Sequence, residues 1–159
     1  MAESSRYRRV SALKSAQDVR KHLVDLDVEL PLDDDILTAP ASPLAASLVV
    51  GDGLVAGNRF CIHPMEGWDA TDDGLPTDNV RRRWQNFGIS GAKLIWGGEA
   101  CAVVPEGRAN PNQLMAREAS RQGLAELHKL IFDAHRERFG LTDDFVVGLQ
   151  LTHSGRFCR

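Results

Sequence analysis

Polar side chains follow three apolar segments of this 159-residue sequence, each at the point where the segment ends. Imidazole, carboxylate and amide groups at such places can bind a ligand, accept a proton or hold a metal ion. If the three segments are parallel strands, these side chains meet at one edge of a sheet, where α/β proteins carry their chemistry. The three sets are His63-Pro64-Met65-Glu66, Glu99-Ala100-Cys101 and Gln150-Leu151-Thr152-His153.

Each of these polar residues has both a functional and a structural interpretation. His63 precedes a proline, which favours extended backbone, so it either contacts a substrate or simply ends a strand. Gln150 lies in an apolar run and binds either a ligand or neighbouring backbone. Glu99 is a candidate metal ligand, base or internal ion-pair partner, and His153 is either a ligand-side group or a solvated loop residue.

The elements that position these residues are predicted from apolar patterning. A hairpin is followed by strands that alternate with helices, and near-continuous apolar strands of this kind indicate a parallel sheet buried on both faces. An open doubly wound sheet and a (β/α)8 barrel both begin in this way. The predicted elements are the hairpin Leu48–Val55, strands at 60–62, 93–96 and 145–151, and helices at about 78–87 and 117–138.

Residues 1–43 read as an N-terminal arm, distinct from a domain at 44–159. Ser15 and Asp18 form a capping-box pattern before a short amphipathic helix, and prolines then interrupt the pattern. In the second domain, the run Arg81–Arg83 is predicted to be the solvated face of a helix whose buried face carries Trp84 and Phe87. Cys61 and Cys101 are predicted to be small core residues.

Composition narrows the class of protein. The formal net charge is -3 and the hydrophobic fraction is 43%, which favours a folded domain and argues against a nucleic-acid-binding surface. Three widely spaced cysteines without a CxxC pair indicate neither a disulfide framework nor a zinc knuckle. Neither a signal peptide nor an apolar run of about 18 residues is evident, so we expect a cytoplasmic protein without a membrane partner.

Three motifs in the correct order resemble the old yellow enzyme family of NADH:flavin oxidoreductases. Asn58–Met65 is similar to the family's first-strand motif, Glu99–Arg108 to its second, and Leu149–Arg156 to its third. The resemblance implies an FMN-binding (β/α)8 TIM barrel preceded by a hairpin. It also implies NAD(P)H as reductant and a small electron-poor molecule as acceptor.

The resemblance assigns roles to particular positions. Pro64, Met65 and Glu66 would line the flavin near its reactive nitrogen and carbonyl. Ala100 would lie against the ring, where a small side chain permits close approach, and Gln150 would hydrogen-bond the pyrimidine edge. His63 and His153 are weaker candidates for contacts on the substrate side, and no catalytic proton donor and no metal ligand is assigned.

Two departures from the family pattern stand out. Glu66 occupies a position where the family commonly has a small residue, and a carboxylate there would lower the flavin's reduction potential. The second departure is length: a complete barrel needs about 250 residues, roughly 31 per β/α unit, whereas about 100 residues follow Asn58. The chain is thus expected to be the N-terminal portion of a barrel, a hairpin plus about three β/α units.

An incomplete barrel has consequences for partners and activity. Unpaired strand edges favour self-association, so the chain alone is expected to self-associate as an oligomer or aggregate, to lose FMN and to be inactive without the C-terminal part of the barrel. Two alternatives remain at this stage: a metal-dependent TIM-barrel hydrolase using His63, Glu99 and His153, and a truncated, non-catalytic barrel fragment.

Overall fold

The computed structural model describes residues 6–158, which fall into two compact units. The first unit ends at Thr38 and the second begins at Ala39. None of the helices in residues 6–158 combines the length and apolar character needed to cross a membrane.

The first unit is built around helix α1, Ala16–Leu26. The capping box predicted for its start is present: the Asp18 amide donates to Ser15 Oγ (3.1 Å), and the Ser15 amide donates to Asp18 Oδ2 (3.1 Å). These bonds satisfy two backbone donors that the first helical turn leaves free. None of the residues of α1 is buried. Arg20 of this helix donates to the Leu32 carbonyl oxygen (2.9 Å) and pairs with Asp34.

The second unit contains seven strands and two α-helices. In chain order these are β1 (Leu48–Gly51), β2 (Leu54–Ala56), β3 (Cys61–Ile62), α2 (Asp78–Ile89), β4 (Leu94–Ile95), β5 (Ala100–Ala102), α3 (Arg121–Phe139), β6 (Val146–Val147) and β7 (Gln150–Thr152). Strands β1 and β2 form the predicted antiparallel hairpin. The other strands pair in parallel, in the order β3-β4-β6 and, in a second small sheet, β5-β7.

The predicted α/β class is confirmed, but the predicted third strand is not continuous and a further strand, β5, was not predicted. The predicted strand 145–151 divides into β6 and β7, and the segment after Trp96 leads into a separate strand, β5. Within residues 6–158 the parallel strands do not close into a barrel. The helix predicted from residue 117 begins as an α-helix at Arg121, after a short 3-10 turn at Glu118–Ser120.

The core lies between the parallel strands and the two helices, which pack against each other. Trp84 of α2 and Ile131 of α3 are buried against Ile95 of β4. Cys101 is fully buried as predicted, whereas Cys61 is only half-buried. The prediction that Arg81–Arg83 is a solvated face is wrong for Arg83, whose side chain turns inward to pair with two carboxylates.

Candidate functional site

Three positions singled out in the sequence come together at the carboxyl ends of the parallel strands. The Ala100 amide donates to the Met65 carbonyl oxygen (3.2 Å), and Ala100 is paired in register with Gln150 across β5 and β7. The backbones of Met65, Ala100 and Gln150 therefore lie side by side, although 35 and 50 residues separate the three along the chain.

A glycine bulge shapes the surface beside these residues. Four residues separate Ile95 from Ala100, but only two separate Val147 from Gln150, so β4 and β5 are joined by two extra residues. Gly97 lies in this bulge at φ +73°, and a Cβ there would lie 2.8 Å from the Gln150 nitrogen and 3.0 Å from Pro64 Cβ. Only glycine fits both the backbone conformation and the space.

The bulge leaves a depression of about 140 Å³, lined by Trp96, Gly97, Gly148, Leu149 and Gln150. This volume is below the roughly 300–1,000 Å³ of a complete small-molecule pocket. Within residues 6–158, the Gln150 side-chain amide has no hydrogen-bond partner, and it is exposed. The depression is thus too small to enclose such a ligand by itself, and the Gln150 amide lies at its edge.

The other residues of the strand-end motifs differ in exposure. Met65 is 75% exposed and His63 is also exposed, while Pro64 and Glu66 are half-buried. The Ala100 side chain is buried. Ala100 would therefore affect a ligand mainly through its small size, which lets the neighbouring backbone approach that ligand.

Gln113 contacts strands β5 and β7, and it was not among the residues predicted from the sequence to be functional. Its side chain is fully buried. Its Nε2 donates to the Ala100 carbonyl oxygen (2.8 Å) and to Thr152 Oγ1 (3.2 Å), and its Oε1 accepts from the Ala109 amide (2.8 Å). It lies in a loop without periodic apolar patterning, so no local signal separates it from the solvated loop amides nearby.

Glu99 is an internal ion-pair partner, one of the three interpretations left open. Its Oε2 accepts from Arg83 Nη2 (2.7 Å) and from Trp84 Nε1 (3.4 Å), and its side chain is 0% exposed. Burial raises the pKa of Glu99, and the hydrogen bond and charge of Arg83 oppose that rise without cancelling it. The carboxylate is occupied by these donors and by the backbone of Gly67.

The residues proposed for a metal hydrolase do not form a metal site. Neither His63, Glu99 and His153 nor any other three His, Cys, Asp or Glu side chains in residues 6–158 form a group that could hold a metal ion. His153 is exposed, and its Nδ1 accepts from the Gly155 amide (3.0 Å). The hydrolase alternative is therefore not supported.

Cys101 is not suited to thiolate chemistry. Burial, with a smaller contribution from the charge of Glu99, raises the pKa of its thiol to about 12. The thiol stays protonated near neutral pH and acts as a small apolar side chain.

Neither a protein-family model nor a curated protein matches the chain. Among solved structures, a variant of NCR from Zymomonas mobilis is 24% identical over 71% of this chain, with a TM-score of 0.56. The old yellow enzyme from Trypanosoma cruzi is 26% identical over 73% of the chain (TM-score 0.54), and morphinone reductase, solved in complex with tetrahydroNAD, is 24% identical over 72% (TM-score 0.53).

These matches involve only part of each neighbour. The chain spans 33% of the Zymomonas variant and 28% of each of the other two proteins. The similarity extends over about 70% of this chain. In fold, this chain is similar to members of the old yellow enzyme family, as its three strand-end motifs predicted.

Proposed function

We propose that this chain forms one wall of the FMN site of an NAD(P)H oxidoreductase of the old yellow enzyme type. The observation that carries the proposal is the juxtaposition of Met65, Ala100 and Gln150 beside a shallow depression. A flat ring with polar edges needs an apolar surface and a few convergent amide groups. The fold similarity to old yellow enzymes and to morphinone reductase supports the same assignment.

The residues present fit a flavin. Met65 and Trp96 provide exposed apolar surface, and the unpaired Gln150 amide can both donate to and accept from the pyrimidine edge. Gly97 keeps the surface between Pro64 and Gln150 free of a side chain. The depression is smaller than a complete pocket, so we infer that this chain supplies one side of the site only.

Bound FMN would supply hydride transfer from a nicotinamide to a small electron-poor acceptor. In this scheme, the chain's own residues would bind the flavin and orient it. Pro64, Met65 and Glu66 line the side of the ring near its reactive nitrogen, Gln150 holds its pyrimidine edge, and Ala100 keeps the two segments close. His63, exposed beside Pro64, and His153 are proposed to contact substrate.

The rest of a (β/α)8 barrel is the partner that this scheme requires. The parallel order β3-β4-β6 is that of three consecutive β/α units, with β3 and β6 as edges. We propose that the isolated chain is inactive and loses FMN on dilution, because the opposite wall lies in the C-terminal part of the barrel. We place the whole enzyme in the cytoplasm, where NAD(P)H is available.

Equilibrium binding of FMN tests the proposal. Quenching of FMN fluorescence by the chain is expected to show weak binding that does not survive gel filtration. Gln150→Leu should weaken this binding by about two- to tenfold, the value of one hydrogen bond. Gln85→Leu is the matched control, since Gln85 is exposed on the outer groove between α2 and α3.

Two results would contradict this proposal. If Gln150→Leu and Gln85→Leu bind FMN as tightly as the unaltered chain, Gln150 does not hold the flavin. If the unaltered chain does not quench FMN at all, the non-catalytic barrel fragment becomes the better interpretation.

A further inference from the structure

Glu99 connects the end of the bulge to the loop that follows β3. Its Oε1 accepts a hydrogen bond from the Gly67 amide (2.6 Å). Next to it along the chain, the Ala100 amide donates to the Met65 carbonyl oxygen (3.2 Å). Two successive residues of one segment therefore hold Met65 and Gly67, the residues on either side of Glu66.

Arg83 fixes Glu99 in this position. Its guanidinium donates to Glu99 and also makes a two-pronged contact with Asp69, Nη1 to Oδ2 at 2.6 Å and Nη2 to Oδ1 at 2.9 Å. Asp69 lies in the same loop as Gly67. Arg83 therefore links helix α2 to this loop directly, through Asp69, and also through Glu99, which lies just before β5 and contacts Gly67. A planar guanidinium with five donors suits such a double contact.

The charges in this cluster are held largely out of water. The Glu99 side chain is 0% exposed, and those of Arg83 and Asp69 are 27% and 26% exposed. Burial by itself would lower the pKa of Arg83, but the hydrogen bonds that Arg83 donates to Asp69 and Glu99 raise it above its usual value. Removing Arg83 would leave Glu99 as an uncompensated buried charge, which is costly.

The cluster leaves no room for a side chain at position 67. A Cβ on Gly67 would lie 2.1 Å from Arg83 Nη2 and 2.6 Å from Glu99 Oε1. The loop backbone is therefore pressed directly against the ion pair. A surface ion pair that only added stability would not require such contact with a loop backbone.

We infer that Glu99, held by Arg83, is a positioning residue for the segment Pro64–Glu66. The inference rests on the proposed function for its consequence at the flavin, but the tether is testable without a cofactor. In this arrangement the ion pair sets where the Met65 and Glu66 backbone lies. The surface that a ligand would contact is therefore positioned by α2 and by the segment that leads into β5, as well as by β3.

Hydrogen exchange of the chain without flavin tests the tether. Glu99→Gln puts an amide NH2 group next to the Arg83 and Trp84 donors and removes the charge. Exchange of the amides at 63–70 is expected to speed up by about tenfold or more, with α3 unchanged. The Gly67 amide proton should also shift upfield in the NMR spectrum, because its charged acceptor is lost. Glu126→Gln, which removes the exposed pair with Arg81 (2.9 Å), is the matched control and should leave residues 63–70 unchanged.

A second variant covers the case in which Glu99→Gln fails to fold. Gly67→Ala retains all the charges but forces the loop away from the cluster, and it should accelerate exchange in the same residues. Equal acceleration throughout the molecule, or unchanged exchange at 63–70 in both variants, would overturn the inference. If the tether behaves as expected but the unaltered chain does not quench FMN, the positioning role stands and the proposed function fails.

Discussion

The two ends of the parallel strands differ in how much of their surface is exposed. At the amino ends, polar side chains are paired with one another and with backbone. At the carboxyl ends, Glu99 and Gln113 are also paired, but several side chains are exposed and the Gln150 amide has no partner within residues 6–158. Asn58, just before β3, shows the first pattern. Its Nδ2 donates to the Gly91 carbonyl oxygen (2.9 Å), and its Oδ1 accepts from the amides of Phe60 (3.1 Å) and Lys93 (3.2 Å).

A second network at the amino ends joins β4, β6 and α3. Lys93 Nζ donates to Asp144 Oδ1 (2.7 Å) and to Nε2 of the fully buried His135 (3.0 Å). His135 Nδ1 donates to the Gly88 carbonyl oxygen (2.8 Å), and its ring stacks on Phe145 with centroids 3.9 Å apart. Each group in this network has a partner, as buried polar groups require.

At the carboxyl ends, by contrast, large apolar side chains are exposed. Met65, Trp96 and Leu151 are 75%, 55% and 61% exposed, and Gln150 has no side-chain partner within residues 6–158. Under the proposed function, stability and recognition are separated along the strands, as in barrel enzymes generally. Changes at the amino ends should cost stability, whereas changes at the carboxyl ends should alter binding and association.

The largest expected effect is on stability at the amino ends. Asn58→Ala removes three hydrogen bonds to backbone and leaves part-buried groups unpaired, so the free energy of unfolding should fall by about 2–4 kcal/mol. Urea denaturation measures this change. Asn86→Ala, on the exposed side of α2, and Gln150→Ala should each change stability by less than about 0.5 kcal/mol. Similar losses in all three variants would remove the distinction between the two ends.

The pH dependence of stability should depend on His135. Burial lowers the pKa of His135 below 6.5, assisted by the charge of Lys93 and opposed by the Gly88 hydrogen bond and by Asp144. The unfolded chain therefore binds the proton more readily, and stability is lost as the pH falls through about 6.5. His135→Phe should lower stability at neutral pH but flatten this slope. His128→Phe, an exposed position on the same helix, should keep the slope; an unchanged slope in both variants would contradict the prediction.

Self-association should depend on the carboxyl ends. Leu151 is 61% exposed on the edge strand β7, and exposed apolar edges favour association. Leu151→Lys is expected to shift the chain towards monomer in sedimentation velocity. Leu141→Lys, at a 69% exposed loop position near the amino ends, should have little effect. A monomeric unaltered chain that retains FMN through gel filtration would show that the expected association is wrong.

The smallest expected effect concerns the flavin potential. Glu66 is half-buried in the segment proposed to line the ring, and a negative charge there disfavours the anionic reduced flavin. At saturating FMN, Glu66→Thr should raise the midpoint potential measured by spectroelectrochemistry, and Glu106→Thr, at an exposed position, should not. An unchanged potential in the Glu66 variant would show that this carboxylate points away from the ring.

Much of the fold follows from local patterns. Apolar runs separated by helical periodicity predicted the parallel order β3-β4-β6, and the Gly-Asp-Gly turn predicted the hairpin. The interruption of the third strand was not predicted, because Phe145–Leu151 reads as a continuous apolar run, and the separate strand β5 was not predicted either. The break depends on how Gly97 and Gly148 fit against each other across the sheet, which a single segment does not encode.

The residues of the candidate site were also predicted only in part. Strand-end position and family resemblance singled out Met65, Ala100 and Gln150, and the structure brings them together. The sequence pattern predicted that Arg83 is solvated, because three successive arginines on an amphipathic helix usually face water. Its inward turn depends on Asp69 and Glu99, which lie 14 and 16 residues away along the chain.

The sequence alone determined the alternation of strands and helices, the hairpin and the three places where polar groups follow apolar strands. These are properties of periodicity and turn chemistry within short segments. Which polar groups are paired depends on the tertiary structure: Glu99 with Arg83, and His135 with Lys93, while the Gln150 side chain has no partner within residues 6–158. Pairing depends on the register of strands and helices distant in sequence, and in a buried environment it determines which charges and amides remain available to a ligand.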